Sequence, residues 1–411
     1  MAFRLTPIAP VLLGVALAQV ALGVMTPLIP ILLLRQGVET QNIGYVASSY
    51  FLGFLAGALL CARIVSRVGH IRAFAVFAAT AADAALLMAL VPSAWGWALL
   101  RFIIGFNLSG LFLVAESWLN DKADASTRGR TFGAYLLVSW LGAAAGPLSL
   151  TVVQASSVMF IAVGMAFATS LLPMALTQIS NPVLDRQRRF SLARLFRASP
   201  LGVVCCLTSG LVNSAFYALI PVYLRRLGHD TDSVASFTSA TMVAALLVQY
   251  PIGMLSDRFG RRPVTLAALL LAFGFAGSMG LFGADSLPLL TGLGCCFAGV
   301  MAPIYGLGAG QTNDHIEPGD YVGAAGGLLF VWALGASAGP SAAAAAMNAV
   351  GPSGLFAYLA GVLALVSLFT LARIRLRAAI PRDLQSGYIP AATAPPGVPE
   401  LAEGQRDGIG E

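Results

Sequence analysis

Apolar positions along this chain come in long unbroken runs, with neither the alternation of a half-buried strand nor the one-sided stripe of a soluble helix. About twelve runs reach the roughly 20 residues that a helix needs to cross hydrocarbon. They lie near 9–33, 43–62, 73–91, 95–118, 131–154, 156–177, 201–224, 233–255, 263–283, 287–310, 321–347 and 352–373. A membrane barrel would show alternating segments of about ten residues instead. The pattern predicts an all-α integral membrane protein. The first run is too long for a signal-peptide core and holds Pro27 and Pro30 where a small-residue cleavage site would be, so it is read as the first span.

The polar stretches between the runs recur. Val24–Thr40 aligns at an offset of 191 with Ala215–Thr231, so that Pro30, Arg35, Gly37 and Glu39 meet Pro221, Arg226, Gly228 and Asp230. Further along, the offset becomes 193: Asn120 and Asp121 meet Asn313 and Asp314, and GAYLLVSWLGAAAGP meets GGLLFVWALGASAGP. Six spans per repeat give both halves the same orientation, a parallel duplication. The expected organisation is a six-helix bundle over 1–178, a cytoplasmic linker over 179–200, a second bundle over 201–376 and a disordered cytoplasmic tail over 377–411, which is poor in large apolar residues.

Composition agrees: of 411 residues 58% are hydrophobic and 10% charged, which excludes a soluble globular chain. The net charge of +6 reflects orientation and not nucleic acid. With both termini cytoplasmic, about 20 of the 24 Lys and Arg fall on that side, leaving Arg35, Arg225 and Arg226 opposite and Arg101 inside a run. The five arginines of the linker suit anionic lipid. Cys61, Cys205, Cys206, Cys295 and Cys296 lie in apolar runs and His70, His229 and His315 are scattered over loops, so no metal is expected. Without a GxxxxGK[ST] loop or a recognisable nucleophile and base, no cofactor, direct ATP drive or enzyme activity is expected.

The stretch Gly253–Pro263, GMLSDRFGRRP, resembles the cytoplasmic-loop signature of the major facilitator superfamily. A degraded copy sits at an offset of 191, with Ser66, Arg67 and Gly69 in place of Asp257, Arg258 and Gly260. RFIIG, Arg101 to Gly105, resembles the superfamily's fourth-helix motif, and AESWLND at 115–121 is similar to a YcaD-like bacterial branch of exporters. Gly133, Gly142, Gly146 and Pro147 match a fifth-helix spacing associated with antiporters, but it recurs as Gly326, Gly335, Gly339 and Pro340, as close packing of small residues would also require. The resemblance covers about residues 8 to 375.

It implies twelve helices in two bundles and alternating access about a mid-membrane site in a monomer of the bacterial inner membrane. It also implies proton-coupled efflux of a small organic molecule. Uptake by symport or facilitated diffusion, or a non-transporting receptor, are the alternatives. Asp257, Arg258, Arg261 and Arg262, with Gly253 and Gly260, and Arg67 and Gly69 in the first half, are the implied gate. Ser66 leaves such a latch without its acid in that half. Polar cavity candidates on the first, fourth, seventh and tenth spans are Gln19, Thr26, Asn107, Asn213, Tyr217 and Tyr305.

Three ionisable groups lie within the runs: Asp83, Arg101 and Glu116. Each costs at least about 2.5 kcal/mol at a helix centre unless paired or wetted, and so is a functional candidate. Asp83 and Arg101 are level in depth about the turn near residue 92. They can form a structural ion pair, or a site where Asp83 takes a proton when Arg101 is drawn away. Glu116 is close in depth to Arg63 and Arg67, either as a lock on the inner gate or as a permanent interfacial salt bridge.

Overall fold

The computed structural model describes residues 8–123, 127–152, 156–176, 191–317 and 320–376. The tail over 377–411 and residues 179–190 of the linker lie outside the described residues. Helices account for nearly all of the rest: α1 (Ala9–Arg35), α2 (Thr40–Val68), α3 (His70–Leu90), α4 (Ala94–Lys122), α5 (Arg128–Leu148), α6 (Ser156–Ala175), α7 (Leu192–Ala198), α8 (Pro200–Arg226), α9 (Thr231–Phe259), α10 (Arg261–Phe282), α11 (Leu287–Met301), α12 (Ile304–Asn313), α13 (Tyr321–Val350) and α14 (Gly354–Leu376). Twelve spans among the described residues are long and apolar enough to cross a membrane.

Two features depart from the run pattern. The tenth span is two helices, α11 and α12, because Pro303 has no N–H to continue the ladder. Part of the expected linker is helical: in α7, Leu195 is fully buried beside Gly327, and Arg194 pairs with Asp320 at 2.9 Å.

The duplication is visible in the backbone. Gly37 and Gly228 both take positive φ, at 74° and 88°, and so do Gly69 and Gly260, at 87° and 92°. Each pair occupies equivalent positions of the two repeats, and any side chain there would be strained.

In the first half α2 packs on α4, and α1 on α5 and α6; in the second, α9 packs on α11, and α8 on α12 and α13. The halves meet through α2 against α13, α5 against α9, and α1 against α8. Glycines set the closest approaches. A Cβ on Gly142 or Gly146 of α5 would strike the backbone of α1, and one on Gly335 or Gly339 of α13 would strike that of α8. Gly133 and Gly326, the first glycines of each spacing, face open space and bring no helices together.

Candidate functional site

The halves are tied together at the end of the bundle that carries the 36–39 and 227–230 turns. There Arg35 donates to the Thr231 hydroxyl at 3.0 Å, Arg226 donates to the Thr40 hydroxyl, and the Gln41 amide donates to the Ser341 carbonyl at 3.2 Å. Two turns along α2 from Gln41, the hydroxyls of Ser48 and Ser341 share a hydrogen bond of 2.7 Å. Asp230 caps α9 at this end, and its hydrogen bonds to Ser233 hold its carboxyl below the usual carboxylate range.

Inward of this seal lies a central cavity of about 140 Å³, bounded by both halves. Its walls are Gln19 and Thr26 of α1, Tyr50, Phe51 and Phe54 of α2, Arg101 of α4, Trp140 of α5, Asn213, Ser214 and Tyr217 of α8, Met242 of α9 and Trp332 of α13. Trp332 meets the edges of Phe51 and Phe54 at 6.1 and 6.0 Å, joining the halves through aromatic contact.

Arg101 reaches the cavity because of its neighbours in RFIIG. Gly105, one turn on, has no Cβ, so α4 can sit against the Tyr50 carbonyl; Gly53 of α2 does the same for the Phe102 carbonyl. That close crossing places the Arg101 guanidinium 4.4 Å above the Tyr50 ring, a cation–π contact. Arg101 is 7% exposed, its Nε and Nη1 are enclosed, and its guanidinium makes no hydrogen bond or ion pair. Around the same cavity Trp140 Nε1, Ser214 Oγ and Tyr217 Oη are also buried without partners. The Tyr217 hydroxyl lies near that of Thr241 but outside good hydrogen-bond geometry.

Gln19, Thr26, Asn213, Tyr217 and Arg101 thus line the cavity. Asn107 does not: it is buried and donates to the Ile103 carbonyl of its own helix at 2.8 Å. Nor does Tyr305, two residues beyond the break at Pro303, and neither α11 nor α12 contributes a wall.

Asp83 and Arg101 do not meet. Asp83 lies on the exposed stripe of α3 with Val76, Leu86, Leu87 and Leu90, while Arg101 points inward, so the two face different ways. Glu116 pairs with neither Arg63 nor Arg67, which are exposed and form no ion pair. Instead it is 7% exposed and accepts a 3.0 Å hydrogen bond from the Tyr135 hydroxyl of α5. Its charge is also felt at Tyr305 of α12, in the other half.

Among the implied gate residues, Gly253 and Gly260 are buried, Asp257 and Arg258 are exposed, and Arg258 lies over the Phe259 ring at 5.5 Å. Arg261 turns into its own half and pairs with Asp314 at 2.8 Å, the two side chains being 1% and 2% exposed. The space for that guanidinium exists because residue 310 is glycine. In the first half the equivalents of Arg261 and Gly310 are His70 and Ser117, which share a hydrogen bond of 2.9 Å. Arg67 is exposed beside Gly69, and the Ser66 hydroxyl bonds back to the Arg63 carbonyl.

Sequence reasoning missed the aromatic wall of Tyr50, Phe51, Phe54, Trp140 and Trp332, and the partner Tyr135. Asp314 had a signal, the repeated Asn-Asp pair, whose meaning required the fold.

The profile described as Major Facilitator Superfamily matches residues 11–248 and 227–396. The MFS-type transporter YcaD of Escherichia coli and of Shigella flexneri is 29% identical over 365 residues, covering 87% of this chain and 93% of YcaD, which agrees with the resemblance carried by residues 115–121. Among solved structures, the nucleoside transporter NupG superposes with a TM-score of 0.74 at 14% identity, covering 90% of this chain and 99% of NupG. A bacterial homologue of the human lysosomal transporter Spinster, inward-facing and unoccupied, gives 0.74 at 14% identity over 90% and 96% of the two chains. The human organic anion transporter MFSD10 (TETRAN) gives 0.62 at 17% identity over 89% and 98%. These relatives are transporters and not enzymes, and with a profile match along most of its length this chain belongs to the major facilitator superfamily.

Proposed function

We propose that the chain moves a small organic molecule across the cytoplasmic membrane by alternating access, with both termini in the cytoplasm, and that transport is proton-coupled efflux with Glu116 as the proton carrier. The observation that carries this reading is the cavity between the halves, walled by both and closed at one end by hydrogen bonds that join them. Such a site changes its exposure when the halves rock against each other. NupG is a nucleoside transporter and MFSD10 an organic anion transporter, and both kinds of solute fall in the size class proposed here.

Glu116 is the better of the two embedded acids. Asp83 faces outward, away from the cavity, whereas Glu116 is buried on α4 with Tyr135 of α5 beside it and Tyr305 of α12 within electrostatic range. Cys206 of α8 donates to the Tyr305 carbonyl at 3.8 Å. Separating the halves changes the solvation of this carboxylate, and that changes its proton affinity.

The test uses proteoliposomes holding a pH-sensitive dye and pooled candidate solutes. Solute-dependent proton flux is expected in the wild type and in Asp83→Asn, and its loss in Glu116→Gln, which still exchanges solute. Solute movement without proton flux in the wild type would make the protein a uniporter and Glu116 structural.

A further inference from the structure

We propose that the central cavity binds a small organic monoanion, a carboxylate or sulfonate with an apolar body of about one ring, whose charge pairs with Arg101 over Tyr50. The proposal rests on the reading of this cavity as the transport site and adds the class of its occupant.

Two buried arginines can be compared directly. Arg261 has the surroundings of a structural cation, with a carboxylate at 2.8 Å. Arg101, buried in the other half, has an aromatic ring on one face and no hydrogen-bond acceptor or carboxylate among the described residues. A guanidinium removed from water is costly without an anion or acceptors, and a cation–π contact offsets only part of that. An arginine that held α2 to α4 would be bonded to one of them. Among the described residues no group accepts a hydrogen bond from this guanidinium, whose Nε and Nη1 are enclosed, and it borders a cavity.

The rest of the wall specifies the anion. No Asp or Glu is among the described residues that line the cavity, so an ammonium would meet an unopposed positive charge. The other unpartnered groups, Trp140 Nε1, Ser214 Oγ and Tyr217 Oη, can all donate and would serve further oxygens. A planar guanidinium receives a carboxylate through two parallel hydrogen bonds. One fixed charge among Phe51, Phe54, Trp332 and Met242 balances one negative charge and an apolar body. As to size, the volume of about 140 Å³ is close to the roughly 150 Å³ of an apolar cavity that accepts benzene. The second half cannot supply the charge: by the repeat, the Arg101 position corresponds to Gly294 and that of Tyr50 to Thr241.

The full-length protein, purified in detergent, is titrated with benzoate, benzamide and benzylamine, and binding is read from tryptophan fluorescence, since Trp140 and Trp332 border the site. Benzoate is expected to bind the wild type about tenfold or more tightly than benzamide, as a charge-assisted bidentate pair requires, with benzylamine weaker still. Arg101→Gln should erase the preference for benzoate, and Arg101→Lys should keep part of it. The wild-type comparison decides even if Arg101→Gln fails to fold. Equal binding of benzoate and benzamide, a preference for benzylamine, no binding of any of the three, or a benzoate preference that survives in folded Arg101→Gln overturns the proposal. Reconstitution separates it from the transport reading. A benzoate preference without flux of benzoate keeps the anion site and removes transport. Flux of neutral solutes that Arg101→Gln leaves unchanged keeps transport and removes the anion site.

Discussion

At the scale of single residues, Arg101 and Arg261 show how a charge in this core is tolerated. Arg261 and Asp314 are enclosed together, so removing the acid takes a contacting carboxylate from a buried cation. Asp314→Asn is expected to destabilise the protein by about 3–5 kcal/mol, read as a lowered midpoint of thermal unfolding in detergent. Asp121→Asn at the equivalent position of the first half breaks only an exposed contact with the neighbouring Lys122 and should cost under about 1 kcal/mol. Equal losses in both variants would show that the buried pair is no more important than the exposed one. The sequence made Arg101 and Glu116 conspicuous, because ionisable groups are rare in hydrocarbon. It did not reveal their partners. Counting residues from the turn near residue 92 puts Asp83 and Arg101 at similar distances along their helices, but Asp83 is on an exposed face and Arg101 on a buried one, and azimuth does not follow from residue number.

At the scale of helices, azimuth was hidden because lipid and protein interior are both apolar here. A soluble helix shows its buried face as a stripe, whereas α1 and α8 are apolar all round. Small residues mark interfaces instead, since close approach rather than apolarity is what one face needs. The glycines of α5 show the limit of that signal: Gly142 and Gly146 seat the helix on α1, but Gly133, in the same spacing, touches nothing. Gly146→Ala puts a methyl 2.5 Å from the Val20 carbonyl oxygen and the Val24 nitrogen. It should cost about 1–3 kcal/mol by overpacking. Gly133→Ala should be neutral, or stabilise by up to about 1 kcal/mol through helix propensity. Unfolding midpoints of the two variants check this, and similar shifts would contradict the packing described. The break at Pro303 and the docking of α7 were the other features not read from the runs. A proline within a span is compatible with a continuous kinked helix, as Pro27 and Pro30 in α1 show, and the seven residues of α7 are too few to stand out.

At the scale of the whole molecule, the twelve spans and the duplication were legible because both repeat along the chain, and the paired positive-φ glycines bear them out. What the repeat concealed is how unlike its halves have become: one holds the embedded cation and carboxylate of the central region, and the other holds the buried ion pair. Rocking of these halves requires the seal around Ser48 and Ser341 to open. In a background lacking the native cysteines, Ser48→Cys combined with Ser341→Cys places two thiols where hydroxyls stand 2.7 Å apart. Oxidation should stop transport and reduction restore it; turnover at the full rate in the cross-linked protein would rule out opening at that end. The unpaired guanidinium of Arg101 has an electrical consequence. It is carried by α4 over the Tyr50 ring of α2, so its positive charge moves with its half when the halves reorient. The proposed monoanion opposes that charge, so that, for a given protonation of Glu116, loaded and empty reorientations differ by one elementary charge. Membrane voltage, at most about 2.3 kcal/mol per 100 mV for a charge crossing the whole field, therefore weighs differently on the two reorientations.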